Sequence, residues 1–341
     1  MKIQMKMPNL QAMAKNFKWI RSIKWSEHST GLGFILLFVL GTFISWNAQK
    51  FVGVPTFIKP GNLLMVLRQV SYTGIIALGM TLIIISGSID LSVGSMTAFV
   101  GGVAVFLLQK FPSDSLLGVF VTLLFALVFG TACGFVNGFM VTKGRIAPFI
   151  ATLGTMAIFR SLILYFSKAA NIVSPNTEFI KFGPASILGV SLPVWIFLIL
   201  AAVMHLLLNN TRFGRYICAV GANEQVARYS AINVQLIKLI PYAITGFTVA
   251  VSSMLWGSRL NGIQPSQVGQ GYELEAIAAV VIGGTSMNGG KGTIIGTVLG
   301  AVMLGMINNM LVLGGVSSFL QEAARGLVII VAVLLQYNSN K

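Results

Sequence analysis

The residues in this chain best suited to ion or proton chemistry are three acids within or beside apolar runs: Asp90, Glu275 and Glu322. An ionisable side chain near hydrocarbon is costly to bury and is therefore a candidate functional group. Asp90 lies in the polar stretch Ser86–Ser95, where its carboxylate could hold a cation or cap the helix that follows. On one helix face Glu322 and Arg325 would neutralise each other. So few acids favour a capping or conformational role for Asp90 over a proton or sodium relay.

The chain lacks the residue patterns of common enzymes. It has 8 acidic residues, 2 histidines and 2 cysteines among 341 residues, and neither HExxH nor GxSxG occurs. Gly289–Thr293 has some likeness to a phosphate-binding loop, but glycine rather than Ser or Thr follows Lys291. Cys133 and Cys218 are far apart and lack metal-ligand neighbours at suitable spacing. We therefore predict no catalytic residue, no cofactor, no metal, no disulfide and no ATP binding by this chain alone.

Composition places the chain in a membrane, because 55% of its residues are hydrophobic and only 9% are charged. The apolar runs are continuous rather than alternating, which indicates helices. The sequence predicts an all-α polytopic membrane protein with about ten transmembrane helices, including broken or re-entrant segments. The predicted spans are Thr30–Trp46, Met65–Ser86, Leu91–Leu108, Leu116–Val136, Pro148–Phe166, Leu192–Leu208, Leu239–Trp256, Leu274–Gly284, Thr293–Leu313 and Phe319–Gln336.

Glycine and polar residues interrupt the apolar sequence between Gly271 and Asn309, most strongly at Asn288–Gly292. Small residues follow at spacings that let helix backbones approach closely in lipid. Two short apolar runs around such an interruption predict a broken or re-entrant segment of the kind that lines a pathway. A plain loop between two spans is the alternative.

Positive charge follows the pattern of a membrane protein whose N-terminus is cytoplasmic. The formal net charge of +15 does not indicate nucleic acid, since no soluble domain exists to carry a basic face. Residues 1–29 form a basic segment expected on the cytoplasmic membrane surface, in contact with lipid, and residues 30–341 form the transmembrane domain. The same rule places Lys143, Arg145 and segment 209–238 in the cytoplasm. The segments after the fifth and seventh spans then lie outside.

Segment 209–238 contains a second candidate functional element. Asn223 can cap a short helix that begins at Glu224. A short helix held outside the membrane between two spans is suited to dock on a soluble partner, whereas an ordinary surface loop is the alternative. The residues expected to take part in docking are Asn223, Glu224, Ala227, Arg228, Ala231 and Ile232.

Four blocks in one order carry a family resemblance: Gly87–Gly94, Ala219–Glu224, Gly271–Ser286 and Gly289–Gly292. They resemble the permease subunits of ATP-binding-cassette sugar importers, in the branched group that contains the ribose permease. The resemblance extends over nearly the whole transmembrane domain. The chain departs from the pattern at Ala231, where family members often have glycine, and at Met287-Asn288, where a small-residue turn is common.

The resemblance implies a permease of the bacterial cytoplasmic (inner) membrane that imports a monosaccharide. Its implied partners are a second permease subunit, identical or paralogous, cytoplasmic ATP-binding domains, and a periplasmic or lipid-tethered sugar-binding protein. The helix after Asn223 looks like the coupling helix that docks on the ATPase. The candidate pathway side chains are Asp90, Ser92, Ser95, Thr285, Ser286, Asn288 and Asn308. The sugar is left open, and the rival is an ion-coupled secondary transporter that uses Asp90 as a cation site.

Overall fold

Helices dominate the computed structural model, which describes residues 25–48 and 53–317 together with residues 320, 321, 323, 324, 326, 327 and 330. The helices in the continuous described ranges are α1 (Trp25–Ala48), α2 (Pro60–Ile85), α3 (Val93–Leu108), α4 (Leu116–Thr142), α5 (Pro148–Ser167), α6 (Thr177–Phe182), α7 (Leu192–Asn210), α8 (Arg212–Ala222), α9 (Glu224–Tyr229), α10 (Val234–Arg259), α11 (Tyr272–Ile282) and α12 (Ile294–Leu313). The strands in the same ranges are β1 (Ile172–Val173), β2 (Ser186–Ile187), β3 (Val190–Ser191) and β4 (Gly262–Ile263).

Six of the described helices are long and apolar enough to cross a membrane, namely α2, α4, α5, α7, α10 and α12. Helix α3 and the apolar part of α1, Gly33–Asn47, are shorter apolar helices. The prediction of a helical membrane protein is therefore confirmed. Most of the predicted tenth span, Phe319–Gln336, and most of the basic segment 1–29 lie outside the described residues.

The first nine predicted spans each overlap a described helix, but only six of the described helices, and not ten, are long and apolar enough to cross the membrane, and the boundaries differ where polar residues continue a helix. Helix α10 begins at Val234 and includes Pro241 in its interior, which a membrane helix tolerates where neighbouring groups satisfy the freed backbone carbonyl. The predicted second and third spans almost fuse in sequence, whereas seven residues between Ile85 and Val93 separate α2 from α3. Helix α11 has only 11 residues, as the shortness of the predicted eighth span requires.

Backbone pairing joins the loops at one end of the bundle. Strand β1 pairs antiparallel with β4, with Ile172 opposite Ile263. Gln109, just after α3, donates from Nε2 to the Val173 carbonyl oxygen at 2.9 Å. The segments after α5 and α10 therefore share one end, as the prediction that both lie on one side of the membrane requires, and that this side is the outside stays a prediction. We call this the external end, and the opposite one the cytoplasmic end.

Glycines bring α4 and α10 into direct backbone contact. A Cβ added at Gly130 would lie 2.6 Å from the Gly246 carbonyl oxygen, so neither helix tolerates a larger side chain there. Hydroxyl groups fix α10 further, because Ser252 donates to the Tyr72 carbonyl and Ser253 to the Thr97 carbonyl, both at 2.7 Å. This packing sets the positions of α2, α3 and α4 around the loop that carries Asp90.

Candidate transport pathway and coupling helix

The Asp90 carboxylate is fully buried in the loop between α2 and α3. Its Oδ1 atom accepts hydrogen bonds from the Ser92 amide at 2.8 Å and from the Ser92 hydroxyl at 2.7 Å. Its Oδ2 atom accepts from Asn137 Nδ2 on α4 at 3.3 Å, and the same amide group donates to Ser92 Oγ at 2.8 Å. Donors of the chain itself thus surround the carboxylate, as expected of a group that holds local conformation.

Two further contacts hold the same loop at the start of α3. The Tyr242 hydroxyl on α10 donates to the Ile89 carbonyl at 3.2 Å, and the Ser95 hydroxyl donates to the Ser92 carbonyl at 2.9 Å. Ser92 is the residue immediately before α3, but its side chain makes no capping bond. Asp90 therefore does not cap α3 itself but orders the backbone immediately before the helix begins.

The structure contains the break expected in the glycine-rich stretch. Helix α11 ends at Ile282 and α12 begins at Ile294, with the Thr293 hydroxyl accepting from the Gly296 amide at 3.0 Å as its cap. Between them the Ser286 amide donates to the Lys291 carbonyl at 2.9 Å, which closes a tight turn. Along this turn Thr285 is buried, Ser286 is half-buried and Asn288 is exposed. The break lies at the cytoplasmic end.

A cavity of about 550 Å³ opens at the external end between α2, α10, α11 and α12. That volume falls within the range of small-molecule sites. Trp256 and Tyr272 contribute aromatic surface, Glu275 is its one acid, and no lysine or arginine lines it in the described part of the chain. The carboxamide side chains that line it are Gln69, Gln264, Gln267, Gln270, Asn308, Asn309 and Gln321.

Three of these glutamines come from one tightly wound segment that follows β4. The backbone amide of Gln267 donates to the backbone carbonyl of Gln264 at 3.0 Å, and the backbone amide of Gln270 donates to the backbone carbonyl of Gln267 at 3.2 Å. Residues three apart in such a turn lie on one side, so the three glutamines share a face. Arg160 of α5 holds the segment by donating to the Pro265 carbonyl and, at 2.9 Å, to the Val268 carbonyl.

The seven predicted pathway side chains occupy three separate places. Asn308 lines the external cavity, whereas Thr285, Ser286 and Asn288 lie in the turn of the cytoplasmic break. Asp90, Ser92 and Ser95 are buried at the start of α3. Our sequence reasoning missed the glutamines. The signal that could have found them is the repeat at positions 264, 267 and 270 in a chain with few polar side chains.

Helix α9 begins where the sequence predicts it. Asn223 Oδ1 accepts from the Val226 amide at 3.0 Å and caps the helix. Glu224 then pairs with two cations, through Oε1 to Arg228 Nη2 at 3.1 Å and through Oε2 to Lys238 Nζ at 2.6 Å. The hydrogen bond from Lys238 is the main reason that the pKa of the Glu224 carboxyl lies below its usual value. The second pair joins α9 to the beginning of α10.

The residues that α9 exposes are not all those that the sequence predicts for docking. Ala227 is only 3% exposed and packs against its own chain, so it is not available to a soluble partner. Val226 and Tyr229 point outward instead and are 57% and 89% exposed. Ala231, which follows the helix, is exposed with a positive φ of 59°, where glycine is favoured. The outward surface of α9 is thus formed by an aliphatic and an aromatic side chain.

A multi-span helical protein with interrupted helices, an external polar cavity and a capped helix at its cytoplasmic end has the features of a membrane transport subunit. Residues 62–334 match the family described as the permease component of the branched-chain amino acid transport system. The match covers most of the chain, which therefore belongs to this permease family. No solved structure was found to match the chain.

Curated relatives agree on the kind of cargo. The chain is 43% identical to the ribose import permease of Escherichia coli over 82% of this chain and 87% of the relative. It is 40% identical to the ribose import permease of Bacillus subtilis over 89% and 91%, respectively. The D-allose transport permease of Escherichia coli is 35% identical over 91% of both chains.

This chain is accordingly a permease subunit of an ATP-binding-cassette sugar importer, and it is a multi-pass protein of the bacterial cytoplasmic membrane. It is a transport permease rather than an enzyme. The family assignment decides against a self-sufficient ion-coupled transporter.

Proposed function

We propose that this chain passes a monosaccharide through the external cavity and releases it at the cytoplasmic break, with ribose as the first sugar to test. The observation that carries the proposal is a cavity lined by carboxamides without a lysine or arginine among the described lining residues. Carboxamides both donate and accept hydrogen bonds, as sugar hydroxyl groups do. A branched-chain amino acid would bring a carboxylate, for which this lining offers no cationic partner.

The cytoplasmic break continues the same wall. Helices α11 and α12 line the cavity near Glu275 and Asn308, and the other ends of both helices border the break. We place Thr285, Ser286 and Asn288 along the inward half of the pathway, which opens after the external half has closed. Asp90, Ser92 and Ser95 serve this pathway by holding the start of α3. Alternation between the two states requires only that partners bind them with different affinity.

Energy comes from a separate cytoplasmic ATP-binding subunit that docks on α9. Val226 and Tyr229 supply the exposed contact surface, and buried aromatic side chains often dominate such interfaces. Asn223 and the Glu224 ion pairs with Arg228 and Lys238 hold the helix in place. A second permease subunit, identical or paralogous, completes the pathway, and a periplasmic or lipid-tethered binding protein delivers the sugar.

Reconstitution tests this proposal. Vesicles that contain this chain, the ATP-binding subunit and the ribose-binding protein should accumulate labelled ribose when ATP is supplied, and should not accumulate leucine. Vesicles with this chain alone should accumulate neither under a proton or sodium gradient. Leucine uptake by the full system, or gradient-driven uptake by the chain alone, would contradict the proposal.

A cavity variant tests the placement of the pathway. Gln267→Leu removes one carboxamide at nearly equal volume and should raise the KM for ribose uptake about fivefold, because one hydrogen bond to the sugar is lost. Leu188→Ala, at an exposed tip between β2 and β3, is the control and should leave uptake unchanged. An unaltered KM in Gln267→Leu, with wild-type expression, would place the pathway elsewhere.

A further inference from the structure

Three backbone segments meet at the cytoplasmic end with almost no side chain between them. They are the end of α2 at Ile85, the end of α8 at Gly221, and the turn between α11 and α12 at Gly290. The Gly290 amide donates to the Ile85 carbonyl at 2.9 Å. A Cβ added at Gly221 would overlap that same carbonyl oxygen and would lie 2.6 Å from the Gly290 nitrogen.

Neighbouring glycines make the contact tighter. A Cβ at Gly289 would lie 2.8 Å from the Gly221 carbonyl oxygen and 3.1 Å from the Gly87 Cα atom. Gly289 and Gly290 have φ values of 82° and 77°, which L-residues rarely adopt. We call Ile85, Gly87, Gly221, Gly289 and Gly290 the glycine junction.

The glycine junction lies beside three functional elements. Gly221 precedes the α9 cap, Asn223, by two residues. Ile85 is followed directly by the loop that carries Asp90, and Gly290 lies inside the break between α11 and α12. Helix α9 therefore has a direct backbone connection to both interruptions of the helical bundle.

Such a connection has a mechanical consequence. Atoms in van der Waals contact transmit displacement without the slack that flexible side chains would allow. If α9 moves, Gly221 cannot approach Ile85 and Gly290 any further, and moving away would break the close packing of Gly221 on both residues. The three segments therefore move together more readily than they move apart.

We propose that the glycine junction carries the displacement of α9 to both broken segments, so that Gly221 and Gly290 are positioning residues for the transport cycle. This inference rests on the proposed docking of an ATP-binding subunit on α9. It adds the route by which that docking reaches the pathway, which neither the cavity nor α9 specifies.

Gly221→Ala tests the route by wedging the three backbones apart. The variant should still bind the ATP-binding subunit and hydrolyse ATP within about twofold of wild type, while ribose uptake falls about tenfold, a typical size for a coupling between sites. Gly154→Ala on α5 is the matched control, since an added Cβ there meets nothing within 4 Å. Normal uptake by a folded Gly221→Ala variant would overturn the proposal.

A distance measurement keeps the proposal testable if Gly221→Ala does not fold. Spin labels at Gln225→Cys on α9 and Met287→Cys in the turn, both exposed positions, are placed in a Cys218→Ala background. Their separation should stay the same between the nucleotide-free and ATP-trapped complexes, because the junction moves as one body. A second pair, Gln225→Cys with Leu188→Cys at the external end, should change its separation.

The outcomes separate the two proposals. A Gln225–Met287 distance that changes with nucleotide would overturn the glycine junction, even where the wild-type system takes up ribose. Failure of the wild-type system to take up ribose would refute the proposed function, and the label distances would still report whether the junction holds together.

Discussion

Asn62 and Asn309 form a reciprocal pair of hydrogen bonds that ties the first turn of α2 to the C-terminal part of α12. Asn62 Nδ2 donates to Asn309 Oδ1, and Asn309 Nδ2 donates to Asn62 Oδ1, each at 2.9 Å. Both side chains are buried, and Asn309 borders the external cavity. The pair therefore fixes the distance between two walls of the proposed pathway.

Breaking this pair from one side should destabilise the protein. Asn309→Leu leaves the Asn62 amide buried with one partner fewer, which costs about 1–3 kcal/mol of unfolding free energy. The double variant Asn62→Leu/Asn309→Leu should recover part of that loss, because no carboxamide then remains unpaired. Thermal unfolding in detergent measures both variants. A loss of stability in the double variant equal to or greater than the sum of the two single losses would argue against the pair acting as a unit.

Asp90→Asn should separate assembly from transport. The substitution keeps the size of the side chain but replaces one of the two carboxyl oxygens, which accept from Ser92 and Asn137, with an NH2 group that can only donate. We expect the ATP-binding subunit to co-purify as with wild type while ribose uptake falls about tenfold, since the start of α3 is less firmly held. Loss of co-purification together with uptake would show that Asp90 supports the fold as a whole.

Tyr229→Ala should weaken docking without weakening the fold. The side chain is 89% exposed, so its removal leaves no cavity, whereas a buried aromatic contact with a partner is lost. Co-purifying ATP-binding subunit should fall at least about tenfold, and Tyr229→Phe should keep most of the binding because the ring remains.

Ala227→Trp provides the contrast on the inner face of α9. A large side chain at this buried position overpacks the chain and should lower unfolding stability by about 1–3 kcal/mol. Thermal unfolding should therefore distinguish the two variants. A Tyr229→Ala variant that binds the subunit normally would exclude this face as the docking surface.

Acid should loosen α9 through Glu224. Its pKa is lower in the folded protein than in the unfolded chain, so its ion pairs contribute stability above the usual Glu pKa of about 4.3, and that stability is lost as the pH falls through the folded pKa. The effect is modest because the side chain is 41% exposed. The protection of amides 224–229 against hydrogen exchange, taken relative to the intrinsic rate at each pH, should fall on acidification in wild type. Glu224→Gln should show lower protection already at neutral pH and lack this acid-dependent loss. An equal acid response in both would assign it to another group.

Local sequence was sufficient for the long apolar helices, the break and the α9 cap, but not for the short helices α6 and α8. The apolar runs are long and continuous, and lipid allows few backbone arrangements other than helices. The polar residues from Gly283 to Thr293 cannot continue such a run, so the interruption is visible in the sequence. Asn223 caps α9 through an amide three residues away, which is a local interaction that residue type alone indicates.

Only the tertiary structure decided which side chains meet. Asn137 reaches Asp90 across 47 positions and Asn309 reaches Asn62 across 247 positions, distances over which no periodicity in sequence reports contact. The same limit explains Ala227, whose small side chain suits either a partner groove or the chain's own core. Packing of α9 against its neighbours turns it inward and leaves Tyr229 exposed. The glycine junction likewise depends on three backbones that converge from distant parts of the chain, because sequence shows only that each of its glycines has no side chain.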